Sequence, residues 1–197
     1  MSIKRIFDIV FIILVCPLIL LILLFSAIAI KLSSPGPVFF IQVRCGINGK
    51  KFKAIKFRTM IVNAESKGAG LYAEKDDPRF TRIGKFFRRF SLDEIPQFWN
   101  ILKEDMSLIG PRPMVPEITN RYQKAYITIM KVKPGLTGIS QVTGRNEIPR
   151  SKRLELDKWY AINHSWKTDF NIFFKTLIIL LAGSGQCQDQ SEQDVEK

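Results

Sequence analysis

The chain is poor in the groups that carry most metal and redox chemistry. Of its 197 residues, one is histidine and three are cysteine. Cys16, Cys45 and Cys187 lie far apart, which excludes a disulfide framework and a zinc-type ligand spacing, and fits a reducing cytoplasm. His164, expected to be structural, leaves no histidine for base catalysis. Internal repeats are absent. Acidic residues are also scarce: 18 stand against 30 lysines and arginines, a formal charge of +12. Such a balance suits anionic partners, whether nucleic acid, a phosphorylated substrate or acidic lipid headgroups. The length suits one domain with its own core, not two.

What is present is unevenly spread. Basic residues crowd positions 44–58, 79–89 and 145–153, whereas the tail after Gln186 is acidic and polar and is expected to be disordered. Residues 9–30 are almost wholly apolar, long enough to cross a hydrocarbon core of roughly 30 Å at about 1.5 Å per residue. Three readings compete: a single span, a cleaved signal peptide ending near Ala27-Ile28-Ala29, and a helix that enters one leaflet and returns. Pro17 falls near the middle, where it removes a helical hydrogen bond and is expected to kink the helix. Lys4 and Arg5 precede the segment and Lys31 follows it, although the positive-inside rule wants that bias on one side only. The re-entrant reading satisfies both observations. A second apolar stretch, residues 170–181, is too short to span and contains Lys175. With Trp159, Tyr160 and Trp166 upstream it reads either as an interfacial helix or as an ordinary core helix.

Between these segments, Ser33-Ser34-Pro35-Gly36-Pro37 breaks the helix. Residues 38–43 and 51–57 flank Gly46-Ile47-Asn48-Gly49 and predict a β-hairpin with one wet face. Residues 63–78 are expected to form a mobile loop. Ile83, Phe86, Phe87 and Phe90 follow helical spacing, with Arg82, Lys85, Arg88 and Arg89 on the polar side. Ile95, Phe98, Trp99 and Leu102 repeat the pattern, residues 121–130 predict a further helix, and residues 133–138 and 144–146 predict loops.

Asp93 and Glu94 are adjacent within the arginine-rich part of the chain. A carboxylate can attack phosphorus or hold a divalent metal, and arginines bind phosphate oxygens in bidentate forks. The plainer alternative is a capping box, Ser91 with Glu94 three residues on. Pro96 favours a helix starting at Asp93 or Glu94, which would stand both carboxylates at a helix mouth that attracts phosphate. In Gly110-Pro111-Arg112-Pro113 two prolines fix the backbone around an arginine. Lys56-Phe57-Arg58-Thr59-Met60 is open to the same two readings, a site or a solvated strand face.

Taken in order, these strings resemble the bacterial monotopic phosphoglycosyl transferases, the sugar transferases that start glycan assembly on a polyprenol phosphate. The resemblance is carried by Lys4-Arg5-Ile6-Phe7-Asp8 before a proline-broken apolar segment, Ser34-Pro35-Gly36-Pro37-Val38-Phe39-Phe40-Ile41-Gln42, and the Lys56 strip. Further on it rests on Asp77-Pro78-Arg79, Ser91-Leu92-Asp93-Glu94-Ile95-Pro96-Gln97, the string from Asp105 to Pro113, Pro134-Gly135-Leu136-Thr137-Gly138 and Gly144-Arg145-Asn146. It runs from residue 3 to about residue 182. Cys16-Pro17 departs from the family's Ser-Pro, and the resemblance is to the minimal catalytic form, expected to lack the extra N-terminal membrane helices of larger members.

The resemblance implies an α-rich α+β fold: a monotopic membrane domain with an N-terminal re-entrant helix (1–32), a catalytic domain (33–185) holding a small β-hairpin and interfacial amphipathic helices, and a tail (186–197). It implies transfer of a sugar-1-phosphate from a UDP-sugar to polyprenol (undecaprenyl) phosphate, releasing UMP, with Mg2+ as cofactor. Asp93 would be the nucleophile and Glu94 its partner in catalysis, both also metal-binding, while Arg88, Arg112, Arg145 and Lys56 would hold phosphate. Membrane lipids are expected partners, nucleic acid is not, and a homodimer is compatible with the family. The expected location is the bacterial inner membrane, with the active site and both termini cytoplasmic. A non-catalytic rival remains: a membrane-anchored basic module that binds anionic lipid or nucleic acid.

Overall fold

The computed structural model describes residues 2–66, 77–144 and 148–182. Its first element, α1 (Ile3–Ser33), is 31 residues long, about 46 Å at 1.5 Å per residue. Ser2 caps it, its hydroxyl accepting from the Arg5 N–H at 3.3 Å. Pro17 lies inside α1, which continues on either side of it. Most of α1 is exposed, including Leu14, Leu18, Leu21, Leu24 and Phe25. The buried residues fall near its two ends: Asp8 and Ile12, then Ser26 and Ile30.

Both ends are fastened to the same body of protein. Near the start, Lys4 Nζ donates to Asp169 Oδ2 and to the Tyr160 hydroxyl, each at 2.7 Å. Asp8 accepts from the Ser107 hydroxyl at 2.8 Å and the Leu108 N–H at 3.1 Å. Phe7, Phe11 and Ile12 join a core with Phe52, Ile101, Met106 and Tyr160. Near the other end Ile30, 0% exposed, packs on Phe57 and Phe87, a burial that stabilises by about 1.5–3 kcal/mol. Just past α1, Arg58 donates to the Pro35 carbonyl at 2.6 Å and the Ser34 carbonyl at 2.9 Å.

The expected hairpin is present as β1 (Phe39–Cys45) and β2 (Lys51–Phe57), antiparallel with Ile41 opposite Ile55 and Cys45 opposite Lys51. Its turn uses positive φ at Asn48 and Gly49. Phe52 and Ala54 of β2 face the core that holds Ile101 and Met106, and Phe57, on the other face, is buried against Ile30 and Phe87. The outer side is less wet than the alternation predicts, because Phe39, Ile41 and Val43 are exposed on it.

Next comes α2 (Arg82–Arg89), whose cap Thr81 accepts from the Gly84 N–H at 3.0 Å. The single helix expected from Ile95 onward is instead a 3-10 helix, Leu92–Gln97, followed by the short α3 (Phe98–Leu102). The capping box does not form. Ser91 adopts a left-handed conformation, φ 55°, and its side chain makes no cap. A 3-10 turn accommodates Pro96 without the α-helical N–H that proline lacks.

The segment predicted as a loop at 133–138 contains a strand, β4 (Gly135–Thr137), parallel to β3 (Ser107–Ile109) with Ser107 opposite Gly135. The helix expected at 121–130 is present as α5 (Gln123–Ile129), and a separate short helix, α4 (Pro116–Arg121), precedes it across Tyr122. The remaining helices are α6 (Ile139–Thr143), α7 (Arg150–Asn163) and α8 (Trp166–Leu181). In α8, Asp169 and Ile172 are buried while Trp166, Phe170, Phe174, Ile178 and Leu181 are exposed. This helix therefore has an apolar outer face as well as a core face. Most of the mobile loop predicted at 63–78, and the acidic tail, lie outside the described residues.

Candidate active site

Three separate segments converge on the carboxylate pair. The 3-10 helix Leu92–Gln97 carries Asp93 and Glu94 inward, where both are buried. Lys56 arrives on β2, and its Nζ donates to Glu94 Oε1 at 2.6 Å. Arg112 arrives on the turn after β3, and its Nη2 donates to the same oxygen at 2.9 Å. That turn is rigid for more reasons than its prolines. Gly110 N–H donates to the Thr137 carbonyl, Gly135 N–H to the Pro111 carbonyl and Cys45 N–H to the Met114 carbonyl, each at 2.9 Å.

The two carboxyls have opposite electrostatics. Burial pushes Glu94 up, but Arg112 and Lys56 outweigh it and hold the carboxylate well below its usual range. Burial also pushes Asp93 up, and there it wins. The attraction of Lys56, Arg88 and Arg112 is opposed by neighbouring Glu94. Asp93 is 3% exposed, and its Oδ1 is buried with no hydrogen-bond partner among the described residues. Burial lowers the Lys56 ammonium against the pull of Glu94.

The sequence-predicted residues are thus largely gathered. Lys56, Glu94 and Arg112 touch. Arg88 acts on Asp93 electrostatically and stacks its guanidinium 4.7 Å from the Phe80 ring centroid. Arg145 lies outside the described residues. Val15 and Leu18, on either side of Pro17, line the cavity described next.

A cavity of about 690 Å3 opens between α1, α2 and α8. Phe11, Leu18, Phe90, Phe98, Phe173 and Leu177 make much of its wall. Among the described residues its charged lining is Glu94, Arg112 and Arg153, with Ser91, Thr137, Ser140, Gln141 and Thr176 as uncharged polar groups. The wall is thus overwhelmingly apolar, with the Arg112 guanidinium on Glu94 and a second guanidinium, Arg153, elsewhere in the lining. An amphiphile with an anionic head matches that wall.

A divalent cation can be tested against these donors. Asp93 Oδ1 is an oxygen ligand without a partner, the type a hard cation takes. No cluster of three or more His, Cys, Asp or Glu exists among the described residues. Asp93 therefore fits a site completed by substrate phosphates and water, the usual arrangement for Mg2+. Glu94 is the weaker ligand, because one of its oxygens already serves two cations.

Two supporting residues escaped the motif reading. Asn100, 1% exposed, accepts from the Ile55 N–H at 3.1 Å and donates to the Lys53 carbonyl at 2.8 Å, holding β2 beside the 3-10 helix. Asp157 lies on the inner face of α7. The signal was present: Arg150, Asp157 and Tyr160, spaced i, i+7 and i+10, occupy the stripe where a core helix would carry apolar residues.

Comparison with known proteins gives a consistent result. A model for the bacterial sugar transferase family matches residues 1–183. The uncharacterized sugar transferase EpsL of Bacillus subtilis (strain 168) is 40% identical over 185 residues, covering 94% of this chain and 90% of the relative. The UDP-galactose-lipid carrier transferase of Erwinia amylovora is 37% identical over 196 residues, covering 92% of this chain and 41% of the relative. The UDP-glucose:undecaprenyl-phosphate glucose-1-phosphate transferase of Escherichia coli (strain K12) is 43% identical over 182 residues, covering 88% and 39%. The chain thus spans nearly all of EpsL but only about two fifths of these two longer relatives.

Proposed function

Because the chain belongs to the bacterial sugar transferase family, we propose that it transfers a sugar-1-phosphate from a UDP-sugar to a polyprenol phosphate and releases UMP. The observation that carries this reading is the cavity: one apolar wall for a lipid, with Arg112 and Glu94 set into it beside the buried Asp93. The names of the Erwinia and Escherichia relatives, a lipid carrier transferase and an undecaprenyl-phosphate transferase, support the same substrate classes.

The proposed chemistry runs in two steps. An Asp93 carboxylate oxygen attacks the sugar-proximal phosphorus. The bond from that phosphorus to the bridging oxygen breaks, and UMP leaves with the electron pair. The sugar phosphate stays on Asp93 as an acyl phosphate until an oxygen of the polyprenol phosphate attacks the same phosphorus and frees the carboxylate. Mg2+, when bound, would offset the negative charge of the diphosphate. Arg112, Lys56 and Arg88 do the same with fixed cations. A diphosphate would compete with Glu94 for Lys56 and Arg112.

The attachment of α1 supports a setting at the membrane surface. Its exposed middle is apolar, yet polar contacts at its start and just past its end fasten it to one body. A helix crossing the bilayer would put those anchors on opposite sides. Insertion into a single leaflet from the cytoplasmic side keeps them together and aligns the cavity with the headgroup layer. The exposed apolar face of α8 would lie at the same interface.

The test is UMP release from a panel of UDP-sugars by the full chain in lipid nanodiscs with polyprenol phosphate and Mg2+. Release with one or more sugars is expected. Silence across the panel, with Mg2+-independent binding to anionic vesicles that salt abolishes, would instead support the non-catalytic basic module.

A further inference from the structure

Behind the charged lining of the cavity lies a carboxyl that the proposed chemistry does not use. Asp157 sits on α7, one turn beyond Arg153, and is 7% exposed. It accepts hydrogen bonds from the hydroxyl and the N–H of Ser140 on α6. Its Oδ1 is buried and has no hydrogen-bond partner among the described residues. Among the described residues, the cations that act on it are Arg112 and Arg153, both of which line the cavity. Tyr126 of α5 also faces Asp157, and Arg150 and Arg44 act on that tyrosine in turn.

We propose that Asp157 is a positioning residue behind the acceptor site: its charge state sets how strongly Arg112 and Arg153 hold the phosphate of the lipid acceptor. This rests on the reading of the cavity as the acceptor's site.

The physical argument is one of charge balance. Burial pushes the Asp157 carboxyl up, and Ser140, Arg112 and Arg153 pull it partly back, leaving it at about 7. Below that pH the carboxyl is neutral and both guanidiniums present their full charge to the cavity. Above it, a negative charge stands behind them and offsets part of their attraction for phosphate. Acceptor binding should therefore weaken as pH rises through neutrality. The acceptor's own titration acts in the opposite direction. A phosphate monoester gains its second negative charge near pH 6 and should bind cations more tightly above it. The sign of the effect therefore separates the two sources.

The experiment measures UMP release by the full chain in zwitterionic nanodiscs from pH 6 to 8.5, varying polyprenol phosphate at saturating UDP-sugar and then the reverse. The expected result is a rise of about three- to tenfold in the acceptor KM with pH, and little change in the donor KM. Asp157→Asn should remove the rise and keep the acceptor KM low at pH 8.5. Ser140→Ala removes a bond to the ionised carboxylate and should move the break to higher pH. A rise that persists in Asp157→Asn, or that appears in kcat with the acceptor KM flat, overturns the proposal. Should Asp157→Asn fail to fold, the Ser140→Ala profile decides, and an unmoved break there is equally fatal. Absence of any turnover would remove the function reading and this inference together. Turnover with an unaltered pH profile removes only the inference.

Discussion

The Lys56 ammonium meets the Glu94 carboxylate at 2.6 Å, joining a strand to a 3-10 helix 38 positions further along the chain. The same Glu94 oxygen takes Arg112 at 2.9 Å. One carboxylate oxygen thus balances two cations in a site where the side chains are 17%, 8% and 25% exposed. Asp93, its sequence neighbour, keeps a buried oxygen with no such partner among the described residues. Within the adjacent pair, Glu94 organises the cations while Asp93 holds the uncommitted oxygen.

Glu94→Gln should therefore harm the fold as well as the reaction. It leaves Lys56 and Arg112 close together without their shared anion, a change expected to cost about 2–4 kcal/mol. UMP release should fall at least about tenfold. A double-mutant cycle with Lys56→Met, read by thermal unfolding, should give a coupling of about 1–3 kcal/mol. Additive single effects would mean that the two side chains do not depend on each other.

Asp93→Asn should behave in the opposite way. Burial raises the Asp93 pKa above its unfolded value, so the folded state favours the protonated form. At neutral pH the unfolded carboxyl is ionised, and keeping the folded one charged opposes folding. A neutral amide of nearly the same size removes that opposition. Thermal stability should stay level or rise while UMP release drops by at least about 10³-fold, as expected for loss of a nucleophile. Turnover at wild-type rate in a well-folded variant would sink the two-step mechanism.

How much of this was legible beforehand depended on the range of the interaction. The hairpin and α2 follow local periodicity, and both are found where residues 38–57 and 82–90 predict them. Ser91 and Glu94 have the spacing of a capping box, yet tertiary contact overrides it: Lys56 and Arg112 claim the Glu94 carboxylate that would have reached back to Ser91. The β3–β4 pair was hidden because each strand is three residues long, too short for a period, and one lies in a run rich in proline and glycine. Asn100 and Asp157 belong to no local motif. Each matters through partners far along the chain, Ile55 and Lys53 for the first and Ser140 and Arg112 for the second.

Gly36 gives a prediction about the exit from α1. Its φ of +120° is a conformation essentially confined to glycine, and an added Cβ would run into the Arg58 guanidinium and Val62. Gly36→Ala should lower stability by about 2–4 kcal/mol and disturb the bonds from Arg58 to Ser34 and Pro35. Gly49→Ala is the control. It also has positive φ, but nothing lies within 4 Å of the new methyl, so only the backbone cost of about 1–2 kcal/mol should appear. Equal losses at the two sites would show that the contact with Arg58 contributes nothing.

The two anchored ends of α1 give the topological prediction. Ser2 precedes and Ser33 ends a helix whose start is held by Lys4 on Asp169 and whose exit is held by Arg58 on Ser34 and Pro35. Asp169 also accepts from the Tyr160 hydroxyl at 2.6 Å. In a background with the native cysteines replaced by alanine, Ser2→Cys and Ser33→Cys should both react with a membrane-impermeant maleimide from the cytoplasmic side. Leu21→Cys, in the exposed apolar middle, should stay unlabelled from either side because lipid covers it. Labelling of Ser2→Cys from the periplasmic side alone would establish a true span and refute single-leaflet insertion. Asp169→Ala should separate the anchor from the insertion itself. It removes the acceptor of both Lys4 and Tyr160, destabilising the fold by about 2–4 kcal/mol. The exposed apolar middle of α1 is untouched, so the labelling pattern should be preserved even as the domain melts at a lower temperature.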